Sequence, residues 1–197
     1  VTAISRPYIF LWAIVGLTLT IGANFINAYI TSPPWEWGRQ GLSAYPLGIT
    51  CQIGVVLIVS CVGGKNAGIL AQVAYLILGL FGLQIFRSGG GIAYWQQPTF
   101  GYLLGFVPGA WLCGALAFKK SPTLEQLAWS CLWGLLTIHC VGIVYLVFLQ
   151  LVNWQGWGEL KLWNWLFNYS IYPCLGQLAL VCAVSLMATT IRRIMMY

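Results

Sequence analysis

Long apolar runs alternate with short polar ones along the whole chain, and the runs are of membrane length. A helix that crosses a bilayer needs about 20 mostly apolar residues. Six stretches approach that length, at 8–30, 47–63, 67–86, 101–118, 127–151 and 169–191. The second and fourth are the shortest, and read as helices buried among neighbours or ending in loops that dip into the membrane. Polar segments punctuate them: "SPPWEWGRQGLSAYP" (32–46), "GGKNAG" (63–68), the Gly-rich "RSGGGIAYWQQP" (87–98), "KKSPTLEQ" (119–126) and the Trp-rich "NWQGWGELKLWNW" (153–165). In "KKSPTLEQ", Ser121 or Thr123 is placed to cap the next helix, with Pro122 or Glu125 in its first turn. The pattern holds no internal repeat and no soluble domain. It predicts one all-α integral membrane domain over residues 1–197, with six transmembrane helices. The first stretch is longer than the apolar core of a signal peptide, and no A-x-A site follows it, so it is read as a membrane helix.

Composition strengthens this reading. Only 6% of residues are charged and mean hydropathy is +0.83, whereas soluble domains carry about 25% charged residues. The formal net charge of +6 forms no basic stripe, which argues against nucleic acid. The basic residues act instead as topology signals. With a cytoplasmic N-terminus, Arg6, Lys65, Lys119, Lys120, Arg192 and Arg193 fall inside, and Arg39, Arg87 and Lys161 outside. That is six against three, which predicts cytoplasmic termini and three long outer loops, 31–46, 87–100 and 152–168. The expected location is the cell membrane.

The apolar stretches contain few polar groups: Asn24, Asn27, Thr50, Gln52, Gln72, Thr99, His139, Gln150, Asn168 and Gln177. All three acids, Glu36, Glu125 and Glu159, fall in loops, so coupling to a proton or sodium gradient is not expected. "GGKN" lacks the spacing of a phosphate-binding loop. The chain has no Asp, which removes Ser-His-Asp and aspartyl protease chemistry, and no enzyme activity is expected. His139 has no partner at ligand spacing and reads as a helix contact. The seven cysteines lie in apolar surroundings without a C-x-x-C and read as small buried hydrophobes, with neither disulfide nor metal expected. No cofactor is called for. Neutral amides, hydroxyls, aromatic rings and glycines remain, an inventory suited to a small, partly apolar ligand.

Three blocks in order sharpen that picture. They are "YPLGITCQIG" (45–54), "GILAQVAYLILGLFGLQIFRSGGG" (68–91) and "QQPTFGYLLGFVPGAWLCGALAF" (96–118). Together they resemble the BioY family, the biotin-binding substrate components of energy-coupling-factor transporters. Pro46, Thr50 and Gln52 follow the family's "P-x-T-x-Q" with slightly altered spacing. Tyr75, Leu76, Gly79, Gly82 and Phe86 match a second motif, with Gln84 where Pro is usual. Pro98, Thr99 and Gly101 to Phe106 match "P-T-G-G-Y-L-L-G-F", with Phe100 in place of one Gly. "IHCVGIVYLVF" (138–148) is similar to the fifth helix of the family.

The resemblance implies the energy-coupling-factor substrate-component fold and a pocket for biotin or a biotin-like molecule, open to the outside. It implies ligand contacts from Thr50, Gln52, Tyr75, Thr99, Tyr102 and Gln177, with Arg87 and Tyr94 contributed by the Gly-rich loop. It also implies separate ATPase and transmembrane coupling subunits, the latter met through small residues along the first helix, here Ala13, Gly16 and Thr20. The last helix departs from the family. Its "P-F-x-x-G-D-x-x-K" start is "PCLGQLAL" here, so Gln177 and Leu180 stand where Asp and Lys are usual. That departure keeps a rival open: a BioY-like protein that no longer transports and serves as an interaction subunit or assembly factor. A polar-lined void at Gln177 distinguishes a binder from that rival, for which an apolar, closed interior is expected.

Overall fold

The computed structural model describes residues 6–152 and 159–195. Its helices are α1 (Arg6–Asn24), α2 (Trp37–Gln40), α3 (Gln52–Leu80), α4 (Phe100–Ala117), α5 (Leu124–Val152), α6 (Glu159–Leu166) and α7 (Tyr172–Ile194). A π-helical turn, Phe167–Ile171, joins α6 to α7 without a break. Among the described residues, five helical segments are long and apolar enough to cross a membrane: Arg6–Asn24, Gln52–Leu80, Phe100–Ala117, Leu124–Val152 and Leu162–Ile194. Their outer faces carry large apolar side chains such as Phe10, Ile14, Trp129, Trp133 and Leu186, as a lipid-facing surface requires.

α3 contains both the second and third expected stretches. It folds back on itself at Gly64, whose φ of 83° and ψ of 172° lie outside the helical region. A Cβ on Gly68 would stand 2.6 Å from Ser60 Oγ, although eight residues of straight helix span about 12 Å. Gln52 likewise donates to the Tyr75 hydroxyl at 2.9 Å across 23 residues of sequence. α3 is therefore two antiparallel limbs, 52–63 and 65–80, each shorter than a full crossing.

Several boundaries differ from the sequence reading. The first helix stops at Asn24 rather than 30, and the second starts at Gln52 rather than 47, because the chain between them pairs as strands. β1 (Asn27–Thr31) runs antiparallel to β2 (Ala44–Thr50), so the fold is not purely α. Short polar and aromatic residues around Pro33, Pro34 and Pro46 do not sustain a helix, and the hairpin satisfies their backbone groups instead. The third stretch ends at Leu80, not 86, where Gly82 takes a φ of 101°. The fourth and fifth agree within a few residues. Thr123 is the cap of α5, accepting from the Gln126 amide at 3.3 Å. The helix expected at 169–191 begins earlier, at Glu159. Residues 153–158 of the Trp-rich connection lie outside the described residues.

Glycines set the spacing of the bundle. A Cβ on Gly105 of α4 would meet the Ile138 carbonyl oxygen of α5 at 2.8 Å, so the two backbones are in contact there. The shared face of Gly101 and Gly105 is thus used for helix packing. The small stripe of α1 has a similar role, and here the partner reading is corrected. Ala13, Gly16 and Thr20 are buried within this chain, Gly16 lies against Val59 and Ala71 of α3, and Thr20 Oγ1 accepts from Gln72. The stripe is already covered and is not presented to another subunit.

Candidate functional site

Residues 81–99, between α3 and α4, fold down over the end of α3. Phe86 is fully buried, its ring 5.2 Å from that of Tyr75 and 4.6 Å from that of Tyr94. A Cβ on Gly79 would stand 2.0 Å from the Phe86 ring, so glycine makes the room for it. The Gly91 amide donates to the Gly79 carbonyl at 2.7 Å, and the Tyr145 hydroxyl donates to the Trp95 carbonyl. The loop is pinned at both ends.

Beneath it lies a cavity of about 320 Å³, at the small end of the usual range for small-molecule sites. Its walls come from the end of α1, from β2, from the start of each of α3, α4 and α7, from the loop, and from the π turn. Thr50, Gln52, Arg87, Tyr94, Thr99, Tyr102 and Gln177 all line it. Seven of the eight side chains singled out in the sequence are therefore brought to one place. The eighth, Tyr75, is corrected: it is fully buried behind Gln52 and supports the wall rather than forming it. The reason is the direction of its ring, which turns into the aromatic cluster with Phe86.

Three amides in the wall, Asn24, Gln52 and Gln177, have one half held by the protein. Asn24 Nδ2 donates to the Ile85 carbonyl at 3.0 Å, and Gln52 Nε2 donates to Tyr75, whose own hydroxyl donates to Ile85 at 3.2 Å. Their carbonyl oxygens are left as acceptors toward the cavity. Gln177 is held the other way round. Its Oε1 accepts from His139 Nε2 at 2.6 Å, leaving its amide N–H groups as donors. His139 Nδ1 lies 3.2 Å from Ser170 Oγ, which lies 2.6 Å from the Tyr102 hydroxyl. Tyr94 and Thr99 join hydroxyls at 3.2 Å. Arg87 is the single cation in the wall among the described residues.

Some of this set was not readable from the sequence as site. Asn24, Asn168 and His139 stood out only as polar groups at membrane depth. Ser170 and Tyr169 carried no signal. The π turn places Asn168 and Tyr169 in the cavity wall and Ser170 on His139, a local irregularity of the kind often found at functional sites. Leu180 takes no part. It packs on Gly54, where a Cβ would stand 3.0 Å from its Cγ.

Comparison with known proteins adds to this geometry. The BioY family profile matches residues 9–197. A Cyanophora paradoxa protein named "Uncharacterized 21.2 kDa protein in psbX-ycf33 intergenic region" is 29% identical over 192 residues, 97% of this chain and 98% of its own length. The biotin transporter BioY of Thermotoga maritima is 39% identical over 132 residues, 65% of this chain and 73% of its own. For the probable biotin transporter BioY of Lysinibacillus sphaericus, 40% identical over 98 residues, the match spans half the length of each chain, 49% and 50%. Among solved structures, the S-component for biotin from an ECF-type ABC transporter superposes with a TM-score of 0.69 at 18% identity, over 97% of this chain and 95% of that one. At that identity the likeness is one of fold.

Proposed function

The chain belongs to the BioY family, and on that footing we propose that it binds biotin or a biotin-like small molecule in the cavity beneath the 81–99 loop. The family is one of transporter components, so the chain is not an enzyme. The observation that carries the reading is the meeting of seven side chains, distant in sequence, in the wall of one polar-lined cavity. Biotin offers a ring urea with N–H donors and a carbonyl acceptor, an apolar bicycle with a thioether, and a carboxylate tail. The wall offers complementary groups: acceptors on Asn24 and Gln52, donors on Gln177 and Arg87, and apolar surface from Ile53, Leu103 and Phe106.

In this reading the chain is a multi-pass protein of the cell membrane with six membrane-embedded helices, counting the two short limbs of α3 separately, and with both termini in the cytoplasm. It captures its ligand from outside, and separate ATPase and transmembrane coupling subunits drive release to the inside. The rival, a non-transporting interaction subunit, calls for an interior packed shut around Gln177, and the cavity there weighs against it.

The test is calorimetric titration of the detergent-purified chain with biotin. Saturable binding at one site per chain, weakened by Thr99→Val and by Gln52→Ala, is expected. No heat and no protection of the loop from protease at millimolar biotin would favour the rival.

A further inference from the structure

Far from the cavity, three helices bring three thiols together. Cys61 of α3, Cys113 of α4 and Cys131 of α5 are each fully buried. Cys61 Sγ lies 3.5 Å from Cys113 Sγ and 3.5 Å from Cys131 Sγ, and all three sulfurs fall within 4.8 Å of one another. Their spacing in sequence, 52 and 18 residues apart, hides the cluster from any motif search. Gly134 allows it to form, since a Cβ there would press on Cys113 Cβ at 2.8 Å.

The triangle has metal-binding dimensions. An ion held by three sulfurs in one plane, with bonds near 2.3 Å, needs sulfur–sulfur edges of about 4.0 Å. Edges between 3.5 and 4.8 Å bracket that value, so an ion enters with side-chain adjustments alone. The chemistry of the site is selective. Leu57, Val62, Leu127, Leu135 and Val184 close around the sulfurs, and no fourth His, Cys, Asp or Glu joins them among the described residues. Zinc in structural sites takes four ligands, whereas all-thiolate coordination favours soft ions such as Cu(I).

The charge is also partly met. The buried Arg192 donates from its guanidinium to the Ala117 carbonyl at 2.8 Å, one helical turn along α4 from Cys113, and stacks 4.1 Å above the Phe118 ring. A thiolate–metal centre carries net negative charge, and a cation beside it lowers the cost of burying that charge.

We propose that Cys61, Cys113 and Cys131 form a three-coordinate site for a soft metal ion, Cu(I), that ties α3, α4 and α5 together at the end of the bundle away from the ligand cavity. Each coordinating thiol gives up its proton to solvent and no electron moves, so binding is redox-neutral. Cys61 sits three residues before the Gly64 bend, and the residue after Cys113, Gly114, packs on the Lys65 backbone. The site therefore stabilises the bend without touching the cavity wall.

The experiment is an anaerobic titration of the reduced, detergent-purified full chain with Cu(I) held by bicinchoninate, a coloured chelator. The expected result is one copper per chain withdrawn from the chelator, a new ultraviolet thiolate-to-copper band, and a higher unfolding temperature. C61A/C113A/C131A should withdraw none. C140A/C174A/C182A, which removes three exposed cysteines, should still withdraw one. Should the buried triple variant not fold, Cys113→Ala alone should lower copper affinity at least tenfold. No copper withdrawn by the natural chain, or undiminished binding after loss of Cys113, overturns the site.

Discussion

His139 Nε2 and Gln177 Oε1 are 2.6 Å apart, and this one bond sets the polarity of the inner cavity wall. An amide oxygen only accepts, so the proton sits on Nε2. In the neutral ring Nδ1 then accepts a hydrogen bond from the Ser170 hydroxyl, and Ser170 in turn accepts from Tyr102. Gln177 is left to offer N–H donors to whatever fills the cavity. An ionised Asp, the residue that the sequence resemblance leads one to expect at this position, offers only acceptors, so Gln177 gives the opposite hydrogen-bond sense.

Gln177→Asp replaces that donor with an anion. With a ligand acceptor seated there, as the bond direction implies, biotin affinity should fall about tenfold, since a buried acceptor left facing an anion without a donor costs about 1–3 kcal/mol. Calorimetry in detergent decides it. A rise in affinity would instead place the ring urea N–H edge against Gln177.

Leu180→Lys, the other change toward the family pattern, should bring no affinity. Leu180 packs between α7 and Gly54 rather than on the cavity. An amine there loses hydration without finding an acceptor, at a cost on the order of 1–3 kcal/mol. The expected readout is a lower unfolding temperature with unchanged biotin affinity for whatever fraction is folded. A tighter complex would show that the Lys head reaches the ligand.

Arg87 is the only cation in the cavity wall among the described residues, and it is exposed. Its pairing with a ligand carboxylate should be modest and salt-dependent, with Arg87→Ala costing roughly threefold to tenfold in affinity. The methyl ester of biotin should bind the natural chain and Arg87→Ala equally well. An equal loss for acid and ester would assign Arg87 to loop structure instead.

Gly105→Ala tests the contact between α4 and α5. The new Cβ would meet Ile138 backbone atoms at 2.8 and 3.0 Å, which cannot turn aside as a side chain does. Over-packing of this kind costs about 1–3 kcal/mol. Gly22→Ala is the control: nothing lies within 4 Å of its Cβ position, and alanine is the better helix former by about 1 kcal/mol. Thermal unfolding in detergent should separate the two, the first falling and the second unchanged or rising.

The sequence by itself determined the membrane class, the helical stretches and most of the candidate site. Apolar runs, scarce charge and the "PTFGYLLGF" motif are local features, and local features survive without coordinates. Thr50, Gln52, Arg87, Tyr94, Thr99, Tyr102 and Gln177 were legible because each lies in or beside a recognisable motif.

What only the tertiary structure decided depends on pairs of groups far apart in the chain. The strand pairing of 27–31 with 44–50 is one example: Pro46 argues against helix in the second segment, but only the partner strand makes both segments an extended pair. The reversal within α3 is different, since Gly64 falls in the "GGKNAG" segment that already separates 47–63 from 67–86 in the sequence. Tyr75 turned out to be a buttress because side-chain direction follows from the aromatic rings around it. The His139–Gln177 bond and the three-thiol cluster join residues 38 or more positions apart or on separate helices. A hydrogen bond or a ligand triangle is a matter of a few tenths of an ångström, and only the packing of whole helices sets distances at that scale.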